Sequence, residues 1–242
     1  MRNSAREVFF GTAMNVTALI PVKGFRNAKQ RLSTLLGAAQ REVLAETMFR
    51  DVLREVLLAR GLAGTFVVTG DDKVAEIADS FGAAVIRERA ESGETDAVNF
   101  ARAELKQAGC EAVLILPGDM PLLRSADIEE VLAQVPAGAR PPFALLVPSH
   151  DRMGTNVLLL APPDILKLRF GHDSFSFHMS QISAQGLPLR FIDNERIALD
   201  IDEPKDLQRF LSFTDVAGES TRVARAMLAR HDAEHGRRSG GL

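Results

Sequence analysis

Four stretches of this chain carry residue types that could do chemistry. Pro21-Val22-Lys23-Gly24-Phe25-Arg26-Asn27-Ala28-Lys29-Gln30-Arg31 packs four cations into one turn after an apolar run. A turn at the carboxyl end of a parallel strand is where open α/β sheets place ligands, and backbone amides at a helix start add positive charge for a phosphate. A polyphosphate suits it, although the run taken alone also reads as a solvated basic loop. It lacks both the Gly-x-x-x-x-Gly-Lys-Ser of a P-loop and the Gly-x-Gly-x-x-Gly of a dinucleotide site.

The second stretch, Leu116-Pro117-Gly118-Asp119-Met120-Pro121-Leu122, sets Asp119 directly after a buried apolar run, facing the same crevice as the basic turn. Its alternative role is a helix N-cap, for which Ser125 and Asp127 are better placed. In the third, Leu199-Asp200-Ile201-Asp202-Glu203-Pro204, the two aspartates share a face if the segment is extended. Magnesium takes one or two protein carboxylates, with phosphate oxygens and waters completing its shell, so Asp119 and Asp202 would suffice. The third run also reads as capping before a helix that opens with Pro204. The fourth comprises Gly154-Thr155-Asn156 and Phe170-Gly171-His172-Asp173-Ser174-Phe175. These are polar loops whose hydroxyls and amides can hold an anionic acceptor, or two ordinary turns. The spacing of His172 and His178 suits no zinc pair, and Ser174 lacks the ordered base and acid of a serine hydrolase.

What must position these groups is an alternating α/β framework. The 242 residues are 46% hydrophobic and 25% charged, the usage of one folded domain, and the net charge of -3 argues against a nucleic-acid partner. Cys110 is the only cysteine, which excludes an intrachain disulfide and fits a reducing cytoplasm. No apolar run reaches the ~20 residues of a membrane span. Residues 1–13 read as a disordered extension ahead of an alternative start at Met14.

Strands are expected at Val16–Val22, Phe66–Thr69, Ala84–Ile86 and Ala112–Leu116, alternating with helices over Gln40–Arg60, Asp71–Phe81, Glu94–Ala108 and Ser125–Gln134. This rhythm implies right-handed crossovers and a mostly parallel central sheet with helices on both faces. Past the Pro-rich 135–142 stretch, Phe143–Pro148 and Asn156–Ala161 read as a small antiparallel insertion, on which exposed apolar surface would favour a homodimer. Leu189–Asp193 and Leu199–Asp202 read as short strands, Pro204–Phe213 as a helix that 215–231 could continue, and His235–Leu242 as a frayed tail. The expected division is a domain over 14–213 followed by a C-terminal helix and tail over 214–242.

Together these motifs resemble the CofC guanylyltransferases of coenzyme F(420) biosynthesis, within the superfamily that includes the molybdenum-cofactor nucleotidyltransferases. The resemblance runs from about Val16 to Phe210. It rests on Ile20-Pro21-Val22-Lys23, Ala28-Lys29-Gln30-Arg31-Leu32, Arg41, Asp51-Val52-Leu53, Pro117-Gly118-Asp119-Met120-Pro121-Leu122, Gly154-Thr155-Asn156, the Phe170–Phe175 loop and Asp200–Leu207. It implies a Rossmann-like nucleotidyltransferase fold and GTP as donor, with Pro21, Val22, Lys23, Lys29, Arg31 and Pro117 around the nucleotide. It also implies Lys23, Lys29 and Asp119 as catalytic groups and magnesium on Asp119 with Asp200 or Asp202. The implied acceptor is a three-carbon phospho-acid on Thr155, Gly171 and Ser174, activated for a downstream transferase. One departure stands out: where the family usually has a Gly-Leu-Asn at the start of the helix before the aspartate strand, this chain reads Glu94-Thr95-Asp96-Ala97-Val98-Asn99. Competing readings are a relative acting on a sugar phosphate or the molybdenum cofactor, and a nucleotide-binding regulator without turnover.

Overall fold

A computed structural model describes residues 14–88, 93–135 and 140–239; the expected extension over 1–13 lies outside them. Four parallel strands form the framework: β1 (Val16–Pro21), β2 (Leu62–Thr69), β3 (Ala84–Arg87) and β4 (Ala112–Ile115). Between them run α1 (Ala38–Leu58), α2 (Asp72–Phe81) and α3 (Glu94–Gln107); α4 (Ser125–Ala133) follows β4. β5 (Phe143–Pro148) and β6 (Thr155–Ala161) complete a six-stranded sheet of order β3-β2-β1-β4-β6-β5. β6 runs antiparallel to both neighbours, so the expected insertion is built into the main sheet beside β4. Its apolar side chains are buried; the exposed large apolar groups nearby are Met153, Leu189 and Phe191.

Strand alternation sends β1 side chains to opposite faces, each with its own core. Ala18 and Ile20 pack with Phe49 and Val52 of α1, Val74 of α2 and Ile128 of α4. Leu19 packs on the other face with Val98 and Ala101 of α3 and with Phe175 and Ile182 of α5 (Ser174–Ala184). That helix was not foreseen, because its apolar positions are diluted by serines and open directly from the polar 170–173 loop.

A third apolar cluster lies at the flank of the sheet. It joins Leu32 of a short 3-10 turn (Gln30–Thr34), Leu44 and Met48 of α1, Leu207 and Phe210 of α6 (Pro204–Ser212), and Ala224 and Met227 of α7 (Glu219–Ser239). α7 is fixed at its start by Asp51, which accepts from the Ser220 amide at 2.8 Å and its hydroxyl at 2.7 Å. The helix continues through Ser239, where fraying was expected from His235.

Leu199 and Ile201 insert into this same cluster, fully buried. The expected strand over Leu199–Asp202 therefore does not form: the segment is held by alternate side chains and by one backbone bond, Ile201 N–H to Asp119 O at 3.2 Å. Leu189–Asp193 likewise makes only an isolated bridge, Phe191 beside Leu146 at the β5 edge, with Arg190 and Ile192 bonding the Leu146 backbone.

Phe210 has no exposed surface and anchors the third cluster. Phe210→Ala is expected to cost about 3–5 kcal/mol in chemical unfolding, the range for deleting a buried aromatic ring.

Candidate active site

β1 sits centrally, with β2 on one side and β4 on the other, so the chain reverses its direction of travel across the sheet between β1 and β4. A crevice opens at the carboxyl ends of strands at such a switch point. Here it is a cleft of about 310 Å³, lined by Pro21 at the end of β1, by Val22, Lys23 and Lys29 after it and by Pro117, Gly118 and Asp119 after β4, with Asp202 and Glu94 closing it.

The basic turn is shaped by its backbone. Gly24 has φ +147°, and a Cβ there would lie 2.8 Å from Asp71 Oδ2, the carboxylate that caps α2. Asn27 and Lys29 adopt left-handed conformations, φ 63° and 53°, which cost energy for side-chain-bearing residues and persist where the surroundings enforce them. Phe25, buried against Phe49 with ring centroids 5.9 Å apart, pins the turn to α1. Gly118 sits in tight quarters: a Cβ would meet Val22 at 3.1 Å and Phe49 at 3.2 Å.

The result is that the Lys29 ammonium lies between two acids, bonding Asp119 and, at 2.9 Å, Asp202. Only 8% of the Lys29 side chain is exposed. Burial alone would lower its pKa, but the two carboxylates more than reverse this and raise it. Asp202 shows the converse: Lys29, with help from Arg31, outweighs burial and holds its pKa down. Asp206 Oδ2 fixes the Asp202 backbone, accepting from the Asp202 and Glu203 amides at 3.2 and 2.7 Å. Upstream, buried Asp127 accepts from Arg196 Nε and from Asn194, tying down the loop that feeds Ile197–Asp202.

Asp200 stands behind the cleft wall, where Asn156 Nδ2 donates to its Oδ1 at 3.2 Å. Burial, together with the negative charges of Asp119 and Asp202, pushes its pKa up to about 6 against the pull of Lys29 and Asn156. Asp119 Oδ1 is buried with no hydrogen-bond partner among the described residues. A crowded trio of aspartates with an unsatisfied carboxylate oxygen is the donor chemistry of a hard divalent cation. Among the described residues no three acidic, histidine or cysteine groups are assembled into a complete ligand set, so phosphate oxygens and waters would have to complete the shell.

Of the nucleotide residues expected from the sequence, Arg31 alone is outside the lining; it lies exposed at the rim, 3.7 Å from Asp202 and Glu203. Thr155, Gly171 and Ser174 are absent from the lining too and form a neighbouring cluster. Ser174 Oγ accepts from the Thr155 amide at 2.9 Å, and the Ser174 amide donates to Gly171 O at 3.2 Å. The Phe170 amide donates to Thr95 Oγ1 at 3.1 Å, joining this cluster to the start of α3.

Sequence reasoning assigned no site role to Glu94, which stands between Gly93 and Thr95 at the start of α3 and lines the cleft itself. Its only signal was an acid at a helix start, where acids are ordinary. Burial and the charge of Asp119 push its pKa up to about 7, despite Lys23 and Lys29. The folded state thus retains a proton that the unfolded chain releases above its ordinary 4.5, and stability falls as pH rises from there to about 7. Glu94→Gln is accordingly expected to stabilise the nucleotide-free protein at pH 8 by up to roughly 3 kcal/mol. At pH 4, unfolding titrations of the two proteins should coincide.

Residues 16–226 match the family model described as "Guanylyl transferase CofC like". The chain is 36% identical over 194 residues to the phosphoenolpyruvate guanylyltransferase of Conexibacter woesei, covering 80% of this chain and 86% of that protein. It is 33% identical to the 2-phospho-L-lactate guanylyltransferase of Methanothermobacter thermautotrophicus, covering 80% and 83%. In fold it is similar to a Desulfovibrio desulfuricans G20 protein assigned to the nucleotide-diphospho-sugar transferases, with TM-score 0.72 and 16% identity over 90% of this chain and 98% of that one. With its cleft at the β1–β4 switch point and this match spanning nearly all the described core, the chain belongs to the CofC-like guanylyl transferase family.

Proposed function

We propose that this protein transfers GMP from GTP to the phosphate of a three-carbon phospho-acid, releasing pyrophosphate. The phospho-acid is phosphoenolpyruvate, 2-phospho-L-lactate or 3-phospho-D-glycerate, the step belongs to coenzyme F(420) biosynthesis, and the activated product passes to a downstream transferase. The observation that carries this reading is the convergence of Asp119 and Asp202, from separate parts of the chain, on Lys29 in the cleft that Lys23 also lines.

An acceptor phosphomonoester has its second pKa near ~6, so at neutral pH its oxygen is already a nucleophile and no general base is required. That oxygen bonds to the α-phosphorus as the bond to pyrophosphate breaks. Lys23, exposed on the turn, and Lys29 at the cleft floor pair with the triphosphate, beside the Pro21-Val22 and Pro117 walls and with Arg31 at the rim. Thr155, Gly171 and Ser174 hold the acceptor from the adjoining cluster, aligned with the donor through the Thr95 contact. Magnesium on Asp119 with Asp202 or Asp200 would supply neutralisation of charge on the phosphates. The remaining work of the residues is to hold two mutually repelling anions in line. The single cysteine is consistent with a reducing cytoplasm, and among the described residues no helix is long and apolar enough to cross a membrane.

Pyrophosphate release should be measured with GTP, CTP and UTP against the three phospho-acids and a sugar phosphate. Turnover is expected with GTP and a phospho-acid; release confined to a sugar phosphate, or GTP binding without any release, would replace this reading. Asp119→Asn should lower magnesium-dependent kcat on the order of 10²–10³-fold or more. Near-normal turnover in that variant would show that Asp119 does not carry the metal.

A further inference from the structure

We propose that His178 is a positioning residue for the acceptor, held as the Nδ1–H tautomer so that the Thr155 hydroxyl is left with its proton to give. The inference rests on the reading above, in which Thr155 touches the phospho-acid.

His178 lies on α5 with no exposed surface, its ring edge-on to Phe170 and Phe177 at 5.9 and 5.7 Å. Its Nε2 accepts from the Arg169 amide at 3.2 Å. That bond consumes the Nε2 lone pair, so the single hydrogen of a neutral ring must sit on Nδ1. Nδ1 is 3.0 Å from Thr155 Oγ1 and therefore donates to it. Burial, with Arg169 and Arg102 close by, keeps the ring neutral by pushing its pKa down to about 4.

The consequence falls on the hydroxyls. Thr155 Oγ1 receives a hydrogen from His178, and its own hydrogen has no acceptor among the described residues. Ser174 Oγ receives one from the Thr155 amide and is likewise left with a hydrogen to donate. Buried hydroxyls normally spend both capacities, so two adjacent ones with unspent hydrogens form a pair of donors suited to a phosphate or carboxylate. With the opposite tautomer, Nδ1 would take the Thr155 hydrogen and the pair would be reduced to one. Because the Arg169 amide dictates the tautomer, the backbone leading into the 170–175 loop sets the polarity of the acceptor contact.

The two contacts of the ring can be separated. His178→Gln keeps an acceptor for the Arg169 amide and loses the donor to Thr155; His178→Asn keeps a donor near Nδ1 and loses the other. With GTP as donor and phosphoenolpyruvate as acceptor, His178→Gln should raise the phosphoenolpyruvate KM on the order of 10-fold, with the GTP KM unchanged. His178→Asn should recover most of that loss. Thr155→Val should match His178→Gln, and the double variant should be no worse than either, since both remove the same interaction. If Thr155→Val raises the acceptor KM while His178→Gln does not, or if the two losses add, the role of His178 is refuted and the acceptor reading stands. If Thr155→Val leaves that KM unmoved, the acceptor reading itself fails and this inference with it. Imidazole ¹⁵N shifts in the unmodified protein test the tautomer without any variant: Nδ1–H supports the proposal, and Nε2–H overturns it.

Discussion

The ammonium of Lys29 joins three parts of the chain that would otherwise have no reason to meet. It stands in the turn after β1 and bonds an acid after β4 and another far along in the segment before α6. Its contribution to folding is small in net terms, because desolvating three charges offsets much of their attraction. Its contribution to arrangement is large, since a charge stranded in a closed cleft would cost several kcal/mol, which penalises any backbone course that separates the three groups. The left-handed backbone at Asn27 and Lys29 is strain that this arrangement, together with the buried Phe25, keeps in place.

The acids themselves are placed by apolar packing. Leu199 and Ile201 enter the third cluster, which leaves Asp202 in the cleft lining and Asp200 against Asn156 behind it. Asp206 at the start of α6 and the Asp127–Arg196 pair on the other side hold both ends of this segment. A segment without strand partners thereby gains the rigidity of one. Carboxylates held by elements so far apart in sequence also cannot drift together or apart independently, which suits a site that must not collapse between turnovers.

Much of this was legible from residue order. Apolar runs at Val16–Val22 and Ala112–Leu116, and the recurrence of Leu44, Met48, Val52 and Val56 at steps of four, specify strands and a helix because burial on a sheet demands those periods; Val43 and Leu57, which read as part of the same face, are exposed. The Leu199-Asp200-Ile201-Asp202 alternation identified which side chains share a face, but not what covers the other face, and so suggested a strand where side-chain packing suffices. α5 was illegible because Phe175, His178 and Ile182 supply its buried stripe while serines fill the turns between. Glu94 was hidden for a different reason: the charges that act on it, Asp119, Lys23 and Lys29, are remote in sequence and only the folded sheet brings them near.

β6 carries one residue more than its partner at the end nearest the site. Val147 stands opposite Val157 and Pro148 opposite Thr155, so Asn156 is the supernumerary residue of a bulge. Its amide reaches Asp200, and the residue before it reaches Ser174 and His178. The irregularity works as a splice, with the acidic centre on one side of a peptide bond and the hydroxyl cluster on the other. Excising that residue would give the sheet a smoother ladder and unplug the two halves from each other, so robustness and turnover are set in opposition at this position.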